Sequence, residues 1–163
     1  MTVVVFAAPT VPVLLAGLWW VVCAVPLVFI DAQVHRLPNV ITMPAAAGVF
    51  ALLTMDAVVT DRWEPLLSAT ICAAAATAVF VSIGLVLGRR GMGLGDAKLI
   101  LSMTALLGWW GWGAPFGAVF FGFLGAGSVG AVLLASGRVR RGAHIPMGPF
   151  FVASAVVMLA LPA

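Results

Sequence analysis

Charge is scarce in this 163-residue chain: Asp, Glu, Lys and Arg make up 8% of it, against roughly a quarter of an ordinary soluble domain. So few charged groups cannot cover a water-facing surface, which excludes a soluble enzyme, a disordered tail and a nucleic-acid-binding module. Tyr is missing altogether, so any aromatic belt at a membrane interface must be built from the 6 Trp. The 2 Cys, Cys23 and Cys72, lie inside apolar runs and are too few for a disulfide framework or a four-cysteine zinc site. They read as small packed hydrophobes. A basic n-region is also missing from Met1 to Pro12, and the apolar run continues to Ile30 without a processing site, so the start of the chain reads as a first membrane span rather than a cleaved signal. No internal repeat is visible.

What the chain has in quantity is apolar sequence. Hydrophobic residues make up 64% of it and the mean hydropathy is +1.22. A span needs about 20 predominantly apolar residues. Six stretches approach that: Val11 to Ile30, Ile41 to Val59, Pro65 to Leu87, Leu99 to Trp110, Ala114 to Ala135 and Ile145 to Leu161. The fourth is short unless it begins near Asp96. The expected fold is therefore an all-α integral membrane protein, a bundle of six transmembrane helices forming one membrane-embedded domain over residues 1–163, with no room for a soluble domain.

The basic residues orient the bundle. Joins one, three and five carry Arg36; Arg89, Arg90 and Lys98; and Arg138, Arg140 and Arg141, whereas the other two joins carry only Arg62. This asymmetry puts the odd joins in the cytoplasm and both termini outside. Trp63, Trp109, Trp110 and Trp112 then belong to the outer interface. Trp19 and Trp20 fall near mid-span, which means that they pack between helices or that the first boundary is a turn out. The Arg138 to Arg141 cluster and Arg36 suit anionic lipid headgroups.

The 5 acidic side chains are the informative ones, because ionisable groups near membrane spans are costly. Asp56, Asp61 and Glu64 gather at the outer end of span two, where carboxylates reach water or pair with Arg62. Asp31 directly follows span one and opens Asp31-Ala32-Gln33-Val34-His35-Arg36-Leu37-Pro38-Asn39; Asp96 ends the glycine-rich part of Gly91-Met92-Gly93-Leu94-Gly95-Asp96-Ala97-Lys98-Leu99. By the charge count these two share one side of the membrane. Each could simply border a helix, as an Asp near a helix N-terminus commonly does. Glycine at 91, 93 and 95, however, lets another chain come close, which suits a substrate strand beside a catalytic acid. The stretch is neither a phosphate loop, lacking Gly-Lys-Ser or Gly-Lys-Thr, nor a dinucleotide fingerprint, since no strand precedes it. His35 and His144 invite a metal site, but two His and two Asp from unlinked joins have no recognised ligand spacing, so no metal is expected. Lys98, two residues past Asp96, either orients the loop or meets lipid headgroups, the latter being favoured.

The Asp31 to Asn39 segment and the Gly91 to Leu99 segment resemble the two signature regions of the type IV prepilin peptidases, the A24-type membrane aspartyl proteases with a Gly-x-Gly-Asp motif. Ile145-Pro146-Met147-Gly148-Pro149-Phe150 resembles a third family stretch near the last span. The resemblance implies that Asp31 and Asp96 are the catalytic pair. It further implies that Gly91, Gly93, Gly95, Lys98, Pro38, Asn39, Pro146, Gly148 and Pro149 line the place where substrate lies. The implied enzyme needs no cofactor. It sits in the bacterial cytoplasmic membrane with its active site facing the cytoplasm, and removes the short basic leader of prepilins, alongside pilus assembly machinery. Larger relatives carry an added cytoplasmic region, often with paired cysteines, linked to N-methylation; this chain has no such pair, so methyltransferase activity is not expected, and the compact form is similar to Flp- or Tad-type peptidases. Arg90 stands where relatives often have an acidic residue.

Charge repulsion supplies a mechanism. Two carboxylates about 4 Å apart at an effective dielectric near 20 repel by about 4 kcal/mol, so they share one proton and act as acid and base on a water molecule. A small proton-coupled transporter is the alternative, since intramembrane carboxylates also serve ion pathways, although both Asp lie at span ends rather than the midplane. A non-catalytic scaffold in pilus assembly would have no need of either Asp.

Overall fold

Apolar runs become helices in a bilayer because each backbone N–H and C=O must find its partner within the segment. In the computed structural model, which describes residues 9–34, 38–87, 94–137 and 146–161, these runs form α1 (Val11–Val34), α2 (Asn39–Thr60), α3 (Trp63–Leu87), α4 (Leu94–Gly108), α5 (Gly113–Ala135) and α6 (Gly148–Ala160). Large apolar side chains stand exposed on most of these helices, among them Leu18, Phe29, Val86 and Phe116. An apolar surface of this extent belongs in lipid. By length and composition α1, α2, α3 and α5 can cross a membrane.

Helices α4 and α6 are short, at 15 and 13 residues. They rise about 22 and 20 Å at 1.5 Å per residue, against a hydrocarbon thickness of about 30 Å. Helix α4 packs against all five other helices. Its buried residues, including Ala97, Ile100, Ser102, Met103 and Thr104, face every direction, as expected of a helix enclosed by protein rather than one with a single apolar stripe. Between α3 and α5 an apolar groove of about 390 Å³ opens, with Ala76, Phe80, Trp112, Phe116 and Thr104 among its lining. Near it the rings of Phe80, Phe123 and Phe151 meet at centroid distances of 5.3 to 5.8 Å and join α3, α5 and α6.

Several boundaries differ from expectation. Helix α1 runs a turn past Ile30, so Asp31 lies within it rather than after it. Helix α4 starts at Leu94 rather than Leu99, because an acid such as Asp96 is well placed in a first turn. It ends at Gly108, where the amides of Trp109 and Trp110 turn back to Leu106 and Leu107 and Gly111 adopts a φ of 109° that favours glycine. Helix α6 starts at Gly148, three residues later than expected.

The Trp residues divide into two groups. Trp63 and Trp112 are exposed as an interfacial belt requires, but Trp109 is buried in the core, since the turn that ends α4 folds it inward. Trp20 is buried between helices, whereas Trp19 stays 41% exposed; its indole N–H donates to the Pro44 carbonyl of α2 at 3.1 Å, and its ring lies over Gly48, where a Cβ would collide with it.

Asp56 is the clearest correction. Expected at the outer end of span two, reaching water or pairing with Arg62, it is 0% exposed, because it continues the buried stripe of α2 through Thr42, Ala46, Val49 and Leu53 at helical spacing. A buried carboxylate needs partners. Thr10 donates its hydroxyl to Oδ1, and the expected Arg62 guanidinium stands 3.8 Å from Oδ2. Asp61 behaves as expected, exposed and accepting from the Trp63 indole at 3.2 Å.

Losing the Thr10 hydroxyl should therefore be costly. Thr10→Val is expected to lower the unfolding free energy by about 1–3 kcal/mol, because it strips a buried carboxylate of a donor. Thr54→Val, whose exposed hydroxyl bonds only its own helix at Phe50, should stay within about 0.5 kcal/mol. Unfolding in detergent micelles measures both, and equal losses would contradict the role given to Thr10.

Candidate active site

The buried face of α1 is a stripe of Ala16, Trp20, Ala24 and Leu27, spaced at three and four residues, and the next position in that register is Asp31. Helix geometry thus turns Asp31 inward, leaving it 5% exposed. Its partner comes from 117 residues further on: the backbone N–H of Gly148 donates to Asp31 Oδ2 at 2.9 Å. Gly148 opens α6, and the first amides of a helix have no acceptor within it, so they suit a carboxylate. Pro149, next in the first turn, has no amide to satisfy. The approach is close enough to require glycine, since a Cβ on residue 148 would stand 2.7 Å from Asp31 Oδ2.

Asp96 lies in the first turn of α4 and is half-buried. Two residues on, Lys98 Nζ donates to Asn39 Oδ1 at 2.5 Å. This bond ties the start of α4 to the start of α2, which favours orientation of the motif over the headgroup contact that was expected. Asn39 can be reached there because Pro38 starts α2: held at φ −71° and ψ 134°, it is followed by helix, and its carbonyl accepts from the amides of Ile41 and Thr42 at 3.1 and 3.2 Å. All three motif-bearing stretches thus meet at one end of the bundle. Asp31 joins the Gly148 stretch, and Asn39, which follows the Asp31 segment, joins the Asp96 stretch.

Other candidates stand apart from these bonds or beyond view. Gly95 is half-buried in the first turn of α4, and Pro146 and Pro149 are half-buried on either side of Gly148. Gly91 and Gly93 lie outside the described residues, as do His35, Arg36, Arg89, Arg90, Arg138, Arg140, Arg141 and His144. Among the described residues no three His, Cys, Asp or Glu side chains gather as a metal site would require. The Asp31 partner escaped sequence reasoning in one respect: a free first-turn amide in α6 is foreseeable, but the carboxylate that meets it is not.

Substituting Gly148 tests the closeness of this contact. Gly148→Ala is expected to destabilise the protein by about 1–3 kcal/mol through overpacking against Asp31. Gly127→Ala, where a Cβ meets nothing within 4 Å, should leave stability unchanged or raise it. Thermal unfolding of the two variants in micelles makes the comparison, and a neutral Gly148→Ala would mean that Asp31 is not held against α6.

Comparison with known proteins gives the family of the chain. The prepilin leader peptidase/N-methyltransferase of Dichelobacter nodosus is 32% identical over 130 residues, covering 77% of this chain and 41% of that protein. The protein of the same name from Aeromonas salmonicida strain A449 is 34% identical over 140 residues, covering 82% of this chain and 44% of its own length. The chain thus spans less than half the length of these curated relatives. No solved structure matches it significantly. The model of the type IV leader peptidase family matches residues 14–161, nearly the whole of what has been described, and the chain belongs to that family.

Proposed function

We propose that this chain is an intramembrane aspartyl endopeptidase that removes the short basic leader from prepilins, with Asp31 and Asp96 as its catalytic pair. The observation that carries the proposal is the Asp31–Gly148 contact: a carboxylate on α1 is buried and held against the start of α6, and Asp96 stands in the first turn of α4, which packs against both of those helices. The named relatives, both prepilin leader peptidases, support the choice of substrate. Flp-like prepilins are the proposed substrates.

The reaction follows from two carboxyl groups sharing a proton. The ionised Asp takes a proton from water, and the water oxygen bonds to the scissile carbonyl carbon. The protonated Asp gives its proton to the carbonyl oxygen. Collapse of the gem-diol breaks the C–N bond: the first Asp gives its proton to the departing amine while one gem-diol hydroxyl returns its proton to the second Asp as the C=O re-forms, leaving one shared proton again. The roles of acid and base belong to the pair rather than to either residue. Six spans with both termini outside would put this site at the cytoplasmic face, a sidedness supported by the positions of Arg and Lys.

Co-expression with a candidate prepilin tests the proposal, with the pilin mass as readout. Wild type should remove the leader. Asp31→Asn and Asp96→Asn should insert normally yet cleave at least about 100-fold more slowly, the scale of general acid–base catalysis. Cleavage by either variant at the wild-type rate would remove that Asp from the mechanism. A wild type that leaves every precursor intact would defeat the peptidase reading and bring the transporter forward, with proton flux in liposomes as its assay.

A further inference from the structure

The two Asp-bearing helices touch through a buried polar bond that lies away from the carboxylates. Trp20 of α1 donates its indole N–H to Ser102 Oγ of α4 at 3.1 Å, and both side chains are 1% exposed. Ser102 in turn donates its hydroxyl to its own backbone at Leu99 O, 3.0 Å away. The serine oxygen is therefore an acceptor toward Trp20 with its proton already committed, and the indole, which can only donate, finds there the acceptor that a buried N–H needs. Trp20 and Asp31 are eleven residues apart, about three turns, so the face of α1 that meets Ser102 is the face that carries Asp31. The intervening positions on that face, Ala24 and Leu27, are buried as well.

Elsewhere α1 is bonded to other elements. Trp19 holds it to Pro44 of α2, Thr10 to Asp56 of α2, and Asp31 to Gly148 of α6. A purely apolar contact between α1 and α4 would let the helices slide by small amounts at little cost, whereas a directional bond to one hydroxyl defines a single height and rotation. Resting on the peptidase reading of Asp31 and Asp96, we infer that Trp20 and Ser102 are positioning residues for the reaction: their hydrogen bond sets the register of α1 against α4 and so the separation of the two carboxyl groups. Neither side chain touches substrate. Their effect falls on the geometry of the chemical step, where a misplacement of about 1 Å can cost about 100-fold.

Trp20→Phe is the informative change, since it keeps a ring in the core and leaves Ser102 bonded to Leu99. It is expected to lower kcat by about 10- to 100-fold with KM within about twofold, the pattern of lost transition-state geometry rather than lost binding. Ser102→Ala should do the same, and the double variant should be no worse than either single one, because both remove one bond. Trp19→Phe removes the neighbouring indole N–H, whose exposed bond to the Pro44 carbonyl ties α1 to α2 rather than to α4, and should leave kcat unchanged. A readout without turnover uses Asp31→Cys with Asp96→Cys, in a background carrying Cys23→Ala and Cys72→Ala, crosslinked by a short bis-maleimide. Adding Trp20→Phe should reduce the yield several-fold and adding Trp19→Phe should not.

Unchanged kcat and unchanged crosslinking in Trp20→Phe would overturn the inference. So would a rise in KM with kcat intact, or equal losses from Trp19→Phe and Trp20→Phe, which would mark a role in general packing. If wild type cuts no precursor, the peptidase reading falls, and the crosslinking yields still decide whether the bond sets the register.

Discussion

The enclosure of α4 is the constraint on which the rest of this structure depends. Every other helix contacts it, so lipid has little access to its sides and its polar groups are answered by protein. Thr104 and Ser102 donate to carbonyls of their own helix, Lys98 to Asn39, and Ser102 accepts from Trp20. A lone helix with an acid and a lysine in its first two turns would be a poor membrane span. Surrounded by five others, it brings those groups to a shared end of the bundle, where α1 presents Asp31, α2 presents Asn39 and α6 presents the amide of Gly148.

Two buried carboxylates on neighbouring helices show how differently such groups can be accommodated. Asp56 accepts from the Thr10 hydroxyl, which ties the residue before α1 to the end of α2, and the Arg62 guanidinium just past α2 stands near it. Asp31 accepts the backbone amide of Gly148 through Oδ2. The first arrangement is that of a fastening. The second holds the carboxylate against the start of a helix.

Much of this was legible in the sequence, because hydrophobic runs report helices directly. The cores of α1, α2, α3 and α5 fall where the apolar stretches do, and the pairing of Arg62 with Asp56 was foreseeable from proximity. The misses have a common physical origin. Hydropathy counts a charge against a span wherever it points, so it ended span one at Ile30 and delayed α4 to Leu99, while the real helices run through Asp31 and Asp96 because protein covers those sides. The same habit sent Asp56 and Trp109 to the surface. Periodicity was the better guide: Asp31 and Asp56 each occupy the next inward position of a buried stripe. What periodicity cannot reveal is a partner from a distant helix, and the Gly148 amide, the Trp20–Ser102 bond and the Lys98–Asn39 bond are all of that kind.

The shortness of α6 bears on the bilayer itself. Its 13 residues fall well below the hydrocarbon thickness, yet Val156 and Val157 stand exposed on its flank. In a bilayer, lipid beside a flank this short thins or leaves apolar tails against polar backbone ends, at a cost of a fraction of a kcal/mol per Å of mismatch. Because the first amide of α6 holds Asp31, any shift of α6 that relieves such a mismatch is felt directly at that carboxylate.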